Sequence, residues 1–212
     1  MISTSKLKRQ FSERLGGSLA ERGFRPSGTV FEREGDGLVQ LIELQPGRGG
    51  KKHSFTLNLG WRYTVKPVTD EAAFDCRQRI GRLIGDTDLW FSRGDATALD
   101  DSLDRVKMLI DEDVLPFLDE HRSIAAVIDA YESSELSART AFGSDSGWQN
   151  YNLAFCYLHV GNVEKARDHL QKVVELADEI DPKFETELYL EMLESGREHL
   201  RELAPDPRES LA

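Results

Sequence analysis

The chain has 212 residues, 39% of them hydrophobic and 31% charged, with a formal net charge of -11 and a pI near 5.0. That length holds one large domain or two small ones, with a core under a heavily charged surface. The acidic balance argues against nucleic acid as a partner, because phosphate binding calls for a clustered basic face.

The charge is uneven. Up to Lys66 there are 12 Lys and Arg against 6 Asp and Glu, and from Pro67 onward there are 15 against 32. The acidic part reads either as a field that steers a basic partner or as an ordinary solvated surface. Cys76 and Cys156 stand far apart and outside any CxxC pair, so zinc and dithiol chemistry have no foothold. Two reduced thiols fit a cytoplasmic protein. The basic residues at Lys6, Lys8 and Arg9 are followed by no apolar stretch of the kind a secretory signal needs, and no run approaches a membrane span.

In chain order, Leu7, Phe11, Leu15 and Leu19 recur every fourth residue and predict a helix ending near Gly23. Residues 29–34 and 38–44, separated by Gly35-Asp36-Gly37, predict a β-hairpin. A Gly-rich loop over 46–52 leads into Phe55, Leu57, Leu59, Trp61 and Tyr63, whose alternation predicts a strand. Residues 75–84 are read as a fourth strand. Leu99, Leu103, Val106, Leu109, Ile110, Leu115 and Leu118 are helically spaced, and Pro116 kinks or breaks that helix. After His121 the pattern is helical: residues 124–131, then a loop at 143–147 with Asp145 or Ser146 as cap, then a helix pair over about 148–177. Asp181-Pro182 starts a last helix, with Tyr189, Met192, Leu193, Gly196, Leu200 and Leu203 on one face, and Ala204-Pro205-Asp206-Pro207 stops it. The expected fold is α+β: an antiparallel sheet with flanking helices over residues 1–120, then a helical portion over 121–212.

The helix pair resembles a single tetratricopeptide repeat. Ala154 and Ala166 supply the small residues where two helices cross, Gly161 the turn, and Leu153, Tyr157 and Leu170 the large apolar neighbours. Val173 stands where a small residue is usual, and the usual closing Pro is displaced to Pro182. One repeat cannot bury its own faces, so neighbours must cap it, and the alternative is an ordinary helical hairpin without a peptide groove. The first ninety residues resemble a bacterial family, domain of unknown function 4304. Gly23-Phe24-Arg25-Pro26-Ser27-Gly28, then Phe31 and Arg33, carry the likeness. So do Gln45 with residues 55–60, residues 76–83, and Asp88-Leu89-Trp90-Phe91, where Phe91 replaces a second Trp. The family brings no established activity. Small bacterial proteins of this kind often neutralise secreted toxins, an analogy at the level of type alone.

Chemistry is sparse. Gly47-Arg48-Gly49-Gly50-Lys51-Lys52-His53-Ser54 invites a phosphate-loop reading, but its glycines are mis-spaced and it joins two strands rather than leading into a helix. None of the five histidines has metal-ligand spacing, and no cofactor is expected. Asn58 and Gln45 are polar residues beside apolar strands, and alternation sets Asn58 opposite Leu57 and Leu59. Asp75, Arg77 and Arg79 fall on one face of the expected fourth strand and, with Trp90, form the alternative ligand site, that of a small-ligand binder or an enzyme, since paired arginines grip carboxylate or phosphate. The bland reading of that cluster is an ion network with Asp100, Asp101 and Asp104. The leading expectation is a non-catalytic protein that occludes a basic toxin or effector through Glu164, Asp168, Glu175, Asp178 and Glu179. A third expectation is a homodimer built on Tyr189, Met192, Leu193 and Leu200.

Overall fold

The computed structural model describes residues 2–68, 74–85, 87–143, 146–177 and 187–203. Its architecture is α+β, an antiparallel sheet of six strands in the N-terminal half followed by helices. The chain divides into two compact units, one of Met1–Arg62 and Arg77–Ser123 and one of Tyr63–Cys76 and Ile124–Ala212. The second unit therefore takes in a segment that periodicity alone assigned to the sheet portion.

In the first unit, helix α1 (Thr4–Glu21) starts where the Ser3 side chain accepts the Lys6 N–H at 3.2 Å. Its stripe of Leu7, Phe11, Leu15 and Leu19 is fully buried. Strands β1 (Arg25–Ser27), β2 (Val30–Glu34) and β3 (Leu38–Pro46) form consecutive antiparallel pairs, with Phe31 opposite Ile42 and Arg33 opposite Gln40. Strand β4 (Ser54–Tyr63) follows, and β5 (Cys76–Arg79) completes the order β1-β2-β3-β4-β5. Strand β6 (Phe91–Ser92) pairs with the start of β4. The alternating residues of β4 are buried as expected, but Thr56 and Asn58 between them are buried too. Thr56 compensates by donating its hydroxyl to Leu89 O at 2.8 Å.

The expected strand over 75–84 is corrected: after β5 the chain turns into helix α2 (Ile80–Ile84). Ile80, Leu83 and Ile84 are spaced three and four apart, which suits a helix and not a strand. Helix α3 (Ala96–Leu109) is capped by Asp95, whose carboxylate accepts the Ala98 N–H at 2.9 Å. It runs through a π turn (Ile110–Val114) into α4 (Leu115–Glu120). Pro116 therefore neither stops nor sharply breaks the helix. It lacks an N–H to donate, and the wider turn ahead of it absorbs the missing bond. Residues of α1, α3 and α4 share one core with Phe31, Ile42, Leu44, Phe55, Leu57 and Leu59 from the sheet. The acidic α3 residues Asp100 and Asp104 pair with Arg14 of α1, at 3.5 and 2.8 Å, and not with the β5 arginines.

The second unit carries α5 (Ile124–Glu132), α6 (Ala138–Phe142), α7 (Ser146–His159), α8 (Val163–Ala177) and α9 (Glu187–Glu202). Gly161 adopts φ +78° between α7 and α8. That left-handed residue lets the Asn162 N–H reach back to Tyr157 O at 2.8 Å and close α7. Asn162 then opens α8 by accepting the Lys165 N–H at 3.1 Å. Ala154 and Ala166 are fully buried. Val173 has its small counterpart on the facing helix: a Cβ on Gly196 of α9 would stand 3.1 Å from Val173 Cγ1. Tyr189, Met192 and Leu193 join Tyr151, Phe155, Leu170 and Val173 in one core, with Leu200 packed against it. The apolar face expected to make a homodimer is thus covered within the chain. The expected cap Asp145, the helix start at Asp181-Pro182 and the stop at residues 204–207 lie outside the described residues.

Candidate functional site

Helix α8 buries Ala166, Leu170 and Val173, which turns the opposite positions outward. Glu164, Asp168 and Glu175 are exposed and lie on one stripe with Gln171, whose amide donates to Glu175 at 3.0 Å. Asp178 and Glu179 lie outside the described residues. A longer stripe, not singled out from the sequence, occurs on α9: Glu187, Glu191, Glu194, Glu198 and Glu202 are all exposed, at spacings of three and four. The spacing was visible in the sequence, but the apolar face of the same helix drew the reading. Among the described residues none of these eight carboxylates has an ion-pair partner. Like charges four apart on a helix oppose folding by about 0.2–0.5 kcal/mol per pair. Helix α9 sets five Glu against Arg197 and Arg201 and so presents excess negative charge, whereas the three carboxylates of α8 are matched in number by Lys165, Arg167 and Lys172 along the same helix.

Neighbouring charges are neutralised. Glu132 accepts from Lys165 at 2.5 Å and from the Tyr157 hydroxyl at 2.8 Å, and these two donors hold its carboxyl below the usual range. Burial, together with Glu132, pushes the Tyr157 hydroxyl well up. His169 stacks on Tyr157 with centroids 5.6 Å apart and sets Nδ1 at 2.8 Å from Asn150 Oδ1. Burial, reinforced by Lys172, pushes its pKa down from the ordinary 6.5 to about 4. The unfolded chain takes up this proton near pH 6.5 and the folded chain only near pH 4, so stability present above pH 6.5 is lost as pH falls through that window. His169→Gln keeps a donor for Asn150 and is expected to flatten the fall in unfolding midpoint over that range. Equal acid sensitivity of variant and wild type would reject this role for the histidine.

The alternative ligand site does not assemble as one constellation. Asp75 accepts the Tyr63 backbone N–H at 2.7 Å and pairs with Lys66. Arg77 pairs with Glu43 at 2.5 Å, and Glu43 also accepts from Asn58 at 2.8 Å. Asn58 reaches Gln45 at 2.9 Å as well, so those two polar residues close a cross-strand network. Arg79 pairs with Asp88 and lies 5.3 Å over the Trp90 ring. The three charges thus take three separate partners. Strand alternation set them together only on the assumption that they faced one ligand.

Two further features of the sheet unit escaped the sequence. Glu34, Asp36, Asp119 and Glu120 line, with Arg122, an open cleft of about 530 Å³. Behind it, the buried Arg33 donates Nε and Nη2 to Gln40 Oε1 at 2.9 and 2.7 Å and Nη1 to Asp119 at 2.6 Å. The register Arg33 opposite Gln40 follows from centring the hairpin on Asp36 and Gly37, which is the signal that could have found it. Among the described residues no group of three or more His, Cys, Asp or Glu could hold a metal ion, and no helix is long and apolar enough to cross a membrane.

The family model for a domain of unknown function (DUF4304) matches residues 15–120, half of the chain. The chain belongs to the DUF4304 family. No curated protein and no solved structure matches it. The DUF4304 match runs from within α1 to the end of α4 and so contains the Arg33–Gln40 pair, the four carboxylates of the cleft and Trp90, but not Arg122 at the cleft's edge. The acidic stripes of α8 and α9 lie beyond the DUF4304 match.

Proposed function

We propose that this DUF4304 chain is a non-catalytic, cytoplasmic protein-binding module of the immunity or inhibitor kind. It covers a basic partner with the acidic outer faces of α8 and α9. The observation that carries this reading is the set of eight exposed carboxylates without ion-pair partners among the described residues, on two helices whose apolar faces are already buried. A basic partner relieves their mutual repulsion, speeds encounter through the long-range field, and leaves final affinity to contacts at the centre. Leu190, exposed on α9 beside Glu187 and Glu194, supplies an apolar anchor at the edge of the stripe. In this reading α7, α8 and α9 act as one tetratricopeptide-like repeat with its cap, supported by the buried Ala154 and Ala166 and the Gly161 turn. The buried free thiols of Cys76 and Cys156 suit a reducing compartment.

The test is co-expression with the products of neighbouring genes, followed by association kinetics on any complex recovered. The association rate is expected to fall about tenfold or more as salt rises from low to physiological strength. Glu191→Lys with Glu194→Lys and Glu198→Lys is expected to remove that salt dependence while leaving the unfolding midpoint of the free chain nearly unchanged. A complex whose association rate ignores both salt and these reversals would sink the proposal.

A further inference from the structure

The loop between β3 and β4 is the basic counterpart to the acidic helices, and it is ordered. A short 3-10 turn (Gly49–Lys51) forms within it, the Gly47 N–H donates to Ser54 O at 2.9 Å, and the Ser54 hydroxyl donates to Lys51 O at 2.7 Å. Beneath the loop lies Arg93, only 5% exposed. Its Nε and Nη2 donate to Lys52 O at 3.1 and 2.8 Å, and its Nη1 donates to Thr4 Oγ1 at 3.0 Å. All of these acceptors are neutral, and among the described residues no carboxylate pairs with the guanidinium. A buried cation without a counter-charge is costly, and neutral oxygens offset only part of that cost.

More positive charge stands above it. Arg48, Lys51 and Lys52 are exposed and have no ion-pair partner among the described residues. Lys51 Nζ lies 5.2 Å from the Trp90 centroid, with the Arg79 guanidinium over the same ring at 5.3 Å, so the indole positions both cations. Asp88, the carboxylate paired nearby, is engaged by Arg79 and by Arg82 at 3.6 Å.

We infer that this loop binds a phosphoryl-type dianion, with Lys51, Lys52 and Arg48 contacting its oxygens and Arg93 supplying fixed positive charge from below. A doubly charged tetrahedral oxyanion can accept from several cationic donors on one loop at once, whereas a single carboxylate leaves most of them unused. The site is not a nucleotide phosphate loop, since it joins two strands and no helix N-terminus follows it. The anion is either free phosphate or a phosphoryl group carried on a polypeptide.

Calorimetric titration of the full chain with inorganic phosphate, and separately with a phosphoserine peptide and its unphosphorylated twin, tests this at constant ionic strength set by chloride. Saturable binding of at least one phosphorylated probe is expected, weakened about tenfold or more by Lys51→Gln with Lys52→Gln. Those exposed positions leave the fold intact, which an unchanged unfolding midpoint without ligand would verify. Equal affinity for phosphate and peptide assigns the site to the free anion, and much tighter binding of the phosphopeptide assigns it to a modified partner. Absence of saturation by both, equal binding of the unphosphorylated peptide, or undiminished binding by the double variant would overturn the inference.

Discussion

Gln40→Leu is expected to destabilise the protein by about 3–5 kcal/mol, measured by urea unfolding, the largest effect of any polar substitution in the sheet unit. Gln40 is fully buried and bonded at both ends of its amide. Its oxygen takes two N–H groups of Arg33, and its nitrogen donates to Leu118 O and, at 3.0 Å, to His121 O. Leucine leaves two guanidinium donors and two carbonyls without partners in a site that water barely reaches. Burial already lowers the Arg33 pKa, and Asp119 is what opposes that pull. Replacing both residues, as Arg33→Met with Gln40→Leu, is expected to cost less than the sum of the two single changes, because the orphaned charge goes with its partner. Strict additivity would show that water fills in for the lost amide.

Lys66→Met is expected to cost about 3–5 kcal/mol in the same assay, far more than an exposed ion pair would. The Lys66 side chain is 1% exposed and that of Asp75 13%. The ammonium also lies 5.1 Å over the Trp148 ring. Methionine keeps the aliphatic stem and leaves Asp75 buried with only the Tyr63 N–H to hold its charge. Asp75→Asn strands the ammonium in the reverse sense. The double variant is expected to recover more than about 1 kcal/mol relative to additivity. A coupling near zero would mean that the pair is solvated and that Asp75 is free for ligand binding after all.

That second result bears on what the sequence could reveal. Helix α1, the β2–β3 hairpin, strand β4 and the α7–α8 pair were legible because a buried face repeats at the period of its element. Ile80 to Ile84 was misread because the arginines of a presumed strand were weighed above the three-four spacing of the apolar residues. The grouping of Asp75, Arg77 and Arg79 had a different origin. Alternation reports which side of a strand a residue takes, but the partners Lys66, Glu43 and Asp88 sit on other segments and emerge only in three dimensions. Arg93 was invisible for the same reason. One exposed-looking Arg after Ser92 carries no sign that it will be sealed beneath a loop some forty positions earlier.

The π turn over Ile110–Val114 fixes the angular setting of α4. A π turn accommodates one residue more than an α turn, and each α-helical residue advances the direction of its side chain by about 100°. Without that additional residue α4 would arrive rotated by about a quarter-turn. Leu118 O and His121 O would then point away from Gln40, and Asp119 away from Arg33. The widened turn is the cam that brings the end of one helix into phase with a hairpin formed some eighty residues before it.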